Sequence, residues 1–440
     1  MSLDPRHTPT LFAPLPLLDR IANQVPGLQA SLCGVTLVCV QHLLETTGTL
    51  IQTLISLGLN PQDIYILGKA YSSNASVEER LRRLGARVVE VGRRRRWGEY
   101  STQLTEDVSR LWNQVAEGIE GQRSRALLVL DDGGFCIKGM PAGFLDLPVV
   151  GIEQTMSGLA LLAVPPLFPV IDVASSAAKQ WIEPPMISEA VLARLKSYRL
   201  SDSPIGVVGF GNIGKAVTQI LSRLQSPILV FDENSGPEDE SEGTVFCQSL
   251  DELYSKSTTI FGCTGKDTLA GNEWWRKTNG EKLLISCSSQ DLEFRSIMLS
   301  LNDGDQELLS LRQLTSEVMV PLAQGKLRIL RGGFPVNFDG SGESVPAADI
   351  QMTRGLLLGA ILQAASLIEI GHTKQLQTML LPELQRLVVT EWIQIRASRR
   401  SWFEPWLLDK FLEDDLVWIA ANSGGVHQEA PSENWAVKVP

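Results

Sequence analysis

An α/β protein of two domains is predicted from three observations. The chain has 440 residues, too many for one ordinary hydrophobic core. Short apolar runs rich in Val, Ile and Leu alternate along it with segments of helical periodicity. Near its middle, Ile205-Gly-Val-Val-Gly-Phe-Gly-Asn-Ile-Gly-Lys215 reads as strand, glycine turn and helix.

The elements follow in order. After a Pro-rich start, Leu17 to Ala22 can form a short helix. Val35 to Val40 is a buried strand by its β-branched content. Apolar residues recur at helical spacing from Leu43 to Leu57, and Gly58 closes that helix. Ile64 to Leu67 is the next strand. Ser76 is placed to cap a helix from Val77 to Leu84, which Gly85 ends, and Val88 to Val91 is a third strand. Arg93-Arg-Arg-Arg96 reads as a solvated loop on an acidic protein, with contact to a phosphate or an acidic partner as the alternative. Thr102 to Val115 is a helix. Ala126 to Leu130 is a strand running into Asp131-Asp132-Gly133-Gly134, and Pro148 to Ile152 another, running into Glu153-Gln-Thr-Met-Ser-Gly158. Both turns stand where open α/β sheets bind ligands, and each also reads as a plain loop.

Pro165 to Asp172 reads as a Pro-broken link into Ala174 to Trp181, and Ser188 to Tyr198 as a separate helix. Lys179 and Glu183 lie four apart, so a helix there would put them on one face, as a salt bridge or as part of a site. Beyond the glycine turn, strands are expected at Ile228 to Phe231, Thr258 to Cys263, Lys282 to Cys287 and Leu327 to Leu330. Residues 233–243 form an acidic surface loop. Ala347 to Ile370 is a long apolar helix and Leu381 to Ile395 another. Trp392, Trp402, Trp406, Trp418 and Trp435 crowd the last stretch, to cover a partner surface or complete the chain's own core.

The glycine turn carries the most specific chemistry. Gly209 permits the tight turn, Gly211 removes a side chain that would block a pyrophosphate, and Gly214 lets helix and strand approach. The helix start offers free N–H groups to phosphates. Asp232 ends the next strand, where a carboxylate accepts from a ribose 2′-OH and repels a 2′-phosphate. NAD is therefore the expected cofactor.

Composition narrows the rest. The net charge of -11 offers no attraction to nucleic acid or anionic membrane. No apolar stretch is long enough for a membrane span, and Met1-Ser-Leu-Asp-Pro-Arg-His lacks the character of a secretory signal. The six scattered cysteines fit buried thiols of a cytoplasmic protein. With four histidines in all, no metal site is expected.

The order of turns resembles adenosylhomocysteinase, from about residue 35 to about residue 370. The resemblance rests on His42 and the helix ending Leu50-Ile-Gln-Thr-Leu, on Leu130-Asp-Asp-Gly-Gly134, on Gly151 to Gly158, and on Pro169-Val-Ile-Asp to Lys179. The glycine loop, Gly262 to Gly265, and Val336-Asn337 complete it. Ordinary 2-hydroxy-acid dehydrogenases share the glycine-loop half and lack the upstream order. The resemblance implies a Rossmann-type NAD-binding domain over about 176–349. It would be inserted into a second, doubly wound α/β substrate domain of about 1–175 and 350–395, with a tail from 396 to 440. It implies NAD contacts from Gly209, Gly211, Asn212, Ile213, Gly214, Asp232, Thr155, Ser157, Thr264, Gly265 and Asn337. It also implies a catalytic set of Lys179, Glu183, Asp132 and His42, with Gln154 on the substrate.

Several positions depart from that family. Gln154 replaces a glutamate, Glu183 an aspartate, and Met156 interrupts a threonine run. Ser288-Ser-Gln-Asp291 lacks the family's histidine, Ser344-Val-Pro346 replaces Gly-His-Pro, and Leu44 stands for a threonine. The Lys/Tyr-rich tail is not recognisable. The losses fall on the substrate side, which suggests oxidation of a secondary hydroxyl on a nucleoside-like or other polyol substrate by tightly bound NAD. A non-catalytic NAD-binding scaffold and true adenosylhomocysteine hydrolysis are the alternatives. A homo-oligomer is expected, with a small-molecule substrate and neither nucleic acid nor membrane as partner.

Overall fold

In a computed structural model of the chain, the described residues are 10–24, 32–92, 94–119, 124–198, 200, 204–224, 226–236, 243–271, 273–302, 308–371 and 377–396. The strands, in chain order, are β1 (Val35–Gln41), β2 (Ile64–Gly68), β3 (Arg87–Val89), β4 (Arg94–Arg95), β5 (Ala126–Asp131), β6 (Val149–Glu153), β7 (Val170–Asp172), β8 (Ile205–Val208), β9 (Ile228–Phe231), β10 (Thr244–Phe246), β11 (Thr259–Gly262), β12 (Asn279–Ser286), β13 (Leu309–Ser310), β14 (Val318–Leu322), β15 (Gln324–Ile329) and β16 (Gln377–Met379). They form two seven-stranded sheets and a two-stranded ladder between β13 and β4. The first sheet is parallel throughout, in the order β16-β7-β6-β5-β1-β2-β3. The second runs β10-β9-β8-β11-β12-β15-β14 and is parallel except for its last hairpin. The fold is two doubly wound α/β sheets, one of them the NAD-binding Rossmann sheet.

Both sheets reverse winding direction once. The chain works outward from β1 to β3 and then returns to place β5 on β1's other side. It does the same from β8 to β10 and back to β11. Ligands of open α/β sheets bind in the crevice at such a reversal, beyond the strands' C-terminal ends. The central strands carry Val, Ile and Leu on both faces because helices cover both faces. Helix Ala347–Glu369 is buried on nearly every side and packs against β6 and β5, so its apolar run has no polar face.

Four local expectations need correction. Helix Ala75–Arg83 is capped by Asn74, whose Oδ1 accepts from the amides of Ser76 and Val77 at 3.0 and 3.3 Å, and not by Ser76. The expected Pro-broken link contains β7, then a single helix Ala177–Arg194 that runs through Pro184 and Pro185. Each proline removes one intrahelical donor, but Ile182, Met186, Ala190 and Val191 are buried along that helix. Burial along its length outweighs two lost hydrogen bonds. The Arg93–Arg96 cluster is not a plain solvated loop. Arg95 is buried in an ion pair with Asp107, while Arg93 lies outside the described residues. The strands β10 and β14 carried no distinct sequence signal.

Trp392 completes the first core. Trp402, Trp406, Trp418 and Trp435 lie outside the described residues. The six cysteines are free thiols, with Cys33 exposed. No helix among the described residues is long and apolar enough to cross a membrane. The cap assignment has a direct check in chemical denaturation. Asn74→Ala should lower the unfolding free energy by about 1 kcal/mol, whereas Ser76→Ala should change it little.

Candidate active site and cofactor cradle

The cofactor cradle lies at the reversal of the second sheet. Gly209 follows β8 with φ at 95°, and its amide donates to Phe231 O at 2.8 Å. A Cβ on Gly214 would lie 1.9 Å from Gly209 O, so helix and turn touch backbone to backbone. A Cβ on Gly211 would meet nothing within 4 Å. The space in front of Gly211 is open, as a phosphate approaching the backbone requires. Helix Asn212–Leu221 starts there without a side-chain cap, which leaves its first N–H groups for an anion. Asn212 donates to Gln180 Oε1 and so ties this helix to helix Ala177–Arg194. Ile213 is half-buried at the helix start. Asp232 accepts from the amides of Phe210 at 2.7 Å and Asn234 at 2.8 Å, so it braces the turn it was expected to serve.

Across the same reversal, Thr264 and Gly265 follow β11. Their amides each donate at 2.6 Å to Glu293 Oε1, and Thr264 Oγ1 donates to Glu293 Oε2 at 2.9 Å. Ser288 Oγ adds a bond at 2.5 Å. Burial pushes the Glu293 carboxyl up to about 7 against these donors. The turn beside the cradle is therefore held from below by a buried acid, and its amides face inward. Asn337, after β15 and its following turn, is buried. Its amide has no hydrogen-bond partner among the described residues and is not sealed from solvent.

The second cluster lies at the reversal of the first sheet. His42 follows β1 and Asp132 follows β5, the two strands flanking the reversal. Lys69 follows β2 and Gln154 follows β6. Asp132 receives Lys69 on Oδ1, and Gln154 and His42 on Oδ2, the last at 3.3 Å from Nε2. His42 Nδ1 meets Ser72 Oγ at 2.5 Å, and its ring stacks on Phe338 with centroids 4.3 Å apart. Phe338 thus brings the Asn337 segment onto this cluster. Burial alone would raise Asp132, but the Lys69 ammonium, with its charge and its hydrogen bond, outweighs it and holds Asp132 below the carboxylate range. Burial, aided by the cations Lys69, Arg354 and Lys179, lowers His42 to about 3 against the pull of Asp132. The imidazole is neutral at physiological pH and the carboxylate beside it is ionised.

Lys179 and Glu183 form an ion pair on one face of helix Ala177–Arg194. Their fields reach His42, Asp132 and Arg354. Thr155 caps helix Met156–Leu161 and donates to Glu153 Oε1 at 2.6 Å. Ser157 and Met156 are exposed at that helix start. Beneath them, burial raises both Asp131, to about 7, and its register neighbour Glu153. The structure therefore gathers His42, Asp132 and Gln154 in direct contact, with Lys179 and Glu183 in their field, and Gly209 to Gly214 beside Thr264. Lys69, Ser72, Glu293, Phe338 and Arg354 escaped the sequence reading. Arg354 alone left a trace, as the one charged residue in the apolar run from Ile350 to Leu358.

Residues 175–267 match the family model of the D-isomer specific 2-hydroxyacid dehydrogenase NAD binding domain. NAD is the cofactor, and the domain is that of an NAD-dependent dehydrogenase family. An uncharacterized protein of Mycobacterium tuberculosis, found in two strains, is 30% identical over 360 residues, 80% of this chain and 67% of its own. The chain belongs to the family of that mycobacterial protein. Among solved structures, apo D-lactate dehydrogenase from Escherichia coli aligns with a TM-score of 0.37 and 12% identity, over 78% of this chain and 99% of its own. The NAD-complexed D-isomer specific 2-hydroxyacid dehydrogenase from Lactobacillus delbrueckii ssp. bulgaricus aligns with a TM-score of 0.29 and 13% identity, over 47% and 65%.

The family match corrects the resemblance to adenosylhomocysteinase. The dehydrogenase model spans the approach to the glycine loop, the loop itself and the Gly262 to Gly265 turn, three of the segments on which that resemblance rested. Oxidation of a nucleoside-like or polyol hydroxyl in that family's manner, hydrolysis of adenosylhomocysteine and the scaffold alternative fall with it. Short turns such as Asp-Asp-Gly-Gly misled because every doubly wound sheet needs acids and glycines at its reversal.

Two glycines separate packing from binding. Gly214→Ala should destabilise the fold by about 1–3 kcal/mol, read by denaturant unfolding. Gly211→Ala should keep stability within about 0.5 kcal/mol yet weaken NAD about tenfold or more, read by titration. Glu293 gives a pH signature. Between its ordinary 4.5 and about 7 the folded state holds a proton that the unfolded state releases, so its contribution to stability falls as pH rises through that window. Glu293→Gln should make the pH dependence of the melting temperature shallower across it.

Proposed function

We propose that this chain is an NAD-dependent dehydrogenase interconverting a small 2-hydroxy acid and its 2-oxo acid, with Lys179, His42 and Asp132 acting at the reacting oxygen. The observation that carries the reading is the neutral imidazole of His42 against the ionised, buried Asp132 at the reversal of the sheet opposite the cradle. The 2-hydroxyacid dehydrogenase match over residues 175–267 supports the substrate class. The backbone at Gly209, Gly211 and Gly214 would hold the pyrophosphate, and the unpaired Asn337 amide would meet the nicotinamide carboxamide. When bound, NAD supplies the two-electron hydride exchange.

Oxidation of a C2 hydroxyl takes a hydride from carbon and a proton from oxygen. With Nε2–H toward Asp132, the neutral ring of His42 keeps its lone pair on Nδ1 beside Ser72 Oγ. The substrate proton would reach the ring through the Ser72 hydroxyl, which gives its own proton to Nδ1 as it takes the substrate's, and Asp132 stabilises the imidazolium that results. Ser72 and Phe338 fix the ring's plane from two sides. Lys179, steadied by Glu183, offers its ammonium to the substrate oxygen as charge grows there in the reducing direction. An anionic substrate suits the site electrostatically. Part of what holds His42 near 3 is the field of Lys69, Arg354 and Lys179. A bound carboxylate offsets that field and returns the imidazole toward its ordinary basicity.

Purified protein with NADH should consume it on addition of one or more of pyruvate, glyoxylate or phenylpyruvate, followed by NADH absorbance. Bound NADH that none of a broad set of 2-oxo acids oxidises would sink the reading. Asp132→Asn should lower kcat by about 10²–10⁴-fold. Lys179→Ala should abolish turnover while leaving NAD binding unchanged.

A further inference from the structure

We infer that Cys263 and Cys287 are a redox-active thiol pair whose disulfide weakens the hold of the cradle on NAD. The pair's effect falls on the cofactor and is independent of the substrate. β11 and β12 run in parallel with Gly262 opposite Ser286, and the Cys287 amide continues the ladder by donating to Gly262 O at 2.9 Å. Cys263 and Cys287 are thus the next residues to face each other, on one side of the sheet and in one apolar cluster. Neighbouring strands lie about 4.8 Å apart. That is inside the roughly 4.4–6.8 Å between Cα atoms that a disulfide spans. The two thiols are already hydrogen-bonded to each other. Access singles this pair out. Cys39 and Cys136 also feel each other's charge, but both are sealed from water. Cys263 is only half-buried, and Cys287 lies behind it at 7% exposure.

Cys263 is packed against the glycine loop. A Cβ on Gly209 would lie 2.8 Å from the Cys263 carbonyl, and one on Gly214 would lie 3.6 Å from Cys263 Cβ. The residues beyond the two cysteines also meet, since Gly265 donates to Ser288 Oγ at 3.0 Å. Drawing Cys263 toward Cys287 therefore moves both walls of the cradle. A peroxide supplies the oxidation. Hydrogen peroxide transfers one oxygen to the accessible Cys263 sulfur, giving a sulfenic acid and one water. Cys287 then attacks that sulfur; the S–S bond forms, the S–O bond breaks and a second water leaves. The two thiols lose two electrons and two protons, and the peroxide takes them up. The hydrogen bond with Cys287, and burial after it, push the Cys263 thiol up. Scarce thiolate slows the first step. It also denies the reduced pair the stabilisation that makes low-pKa dithiols oxidising, and so favours the disulfide at equilibrium.

The test uses the full chain carrying Cys33→Ser, which removes the exposed thiol, and diamide, which joins thiols without adding oxygen. Thiol titration in denaturant should show two thiols lost, and peptide mapping without reductant should find Cys263 linked to Cys287. NAD titration of the oxidised protein should give a Kd about tenfold weaker, restored by dithiothreitol. The same chain with Cys287→Ser cannot form the link and should keep its NAD affinity through the treatment. Reversal by dithiothreitol decides the matter alone if C287S does not fold. Diamide that leaves the two cysteines unlinked overturns the inference. So does a link that leaves NAD affinity unchanged, or an equal loss of affinity in C287S.

Discussion

The charge on Asp132 is the constraint from which the rest of the site follows. A carboxylate this deeply buried is stable as an ion because the Lys69 ammonium pairs with it, with His42 and Gln154 as further polar partners. Each of these groups comes from the C-terminal end of a different strand. Any shift in sheet register would pull one of them away. The parallel pairing of β1 with both β2 and β5 therefore does more than bury apolar side chains. It fixes where the charges meet, and it leaves the imidazole neutral beside an anion.

The two reversals divide the labour. One carries an open cradle built of glycine backbone, the other a charged cluster built of side chains. Helix Ala177–Arg194 connects them, because its first turns carry Lys179, Glu183 and Gln180, and Gln180 bonds to the helix that follows the glycine loop. The other contacts between the halves are both polar and apolar. Gly98 donates to Asp291 at 2.9 Å, Arg295 to Gly98 O at 2.7 Å, and Arg331 to Tyr71 O at 3.1 Å. Tyr71 also stacks on Phe334 with centroids 4.8 Å apart, and Phe334 and Leu314 are buried in one apolar cluster with Val38, Tyr65 and Tyr100, so the halves share apolar packing as well.

Much of the strand and helix order was legible, because buried parallel strands and amphipathic helices have distinct periods. The glycine loop was legible to the residue, since each glycine answers a separate steric demand. The cap at Asn74 and the continuous helix through Pro184 and Pro185 were not. Both depend on which neighbour wins a local competition, and for the helix that neighbour is another part of the core. The match to a family of known chemistry was misread for a related reason. Turn residues at sheet reversals are drawn from a small set, so short matches in order do not identify a substrate.

By itself the sequence determined the α/β alternation, the NAD-binding turn and the residues His42, Asp132, Lys179 and Glu183 as candidates. The alternation, the glycine turn and the Lys179–Glu183 spacing are local patterns, fixed by spacing along one strand or helix, whereas His42 and the catalytic roles entered through the resemblance to adenosylhomocysteinase that the family match overturned. Only the tertiary structure decided that Lys69 would neutralise Asp132, that Glu293 would brace the Thr264 turn, and that Cys287 would lie opposite Cys263. Each of those partners is separated in sequence from what it serves, and burial, not spacing, sets the energy of bringing them together.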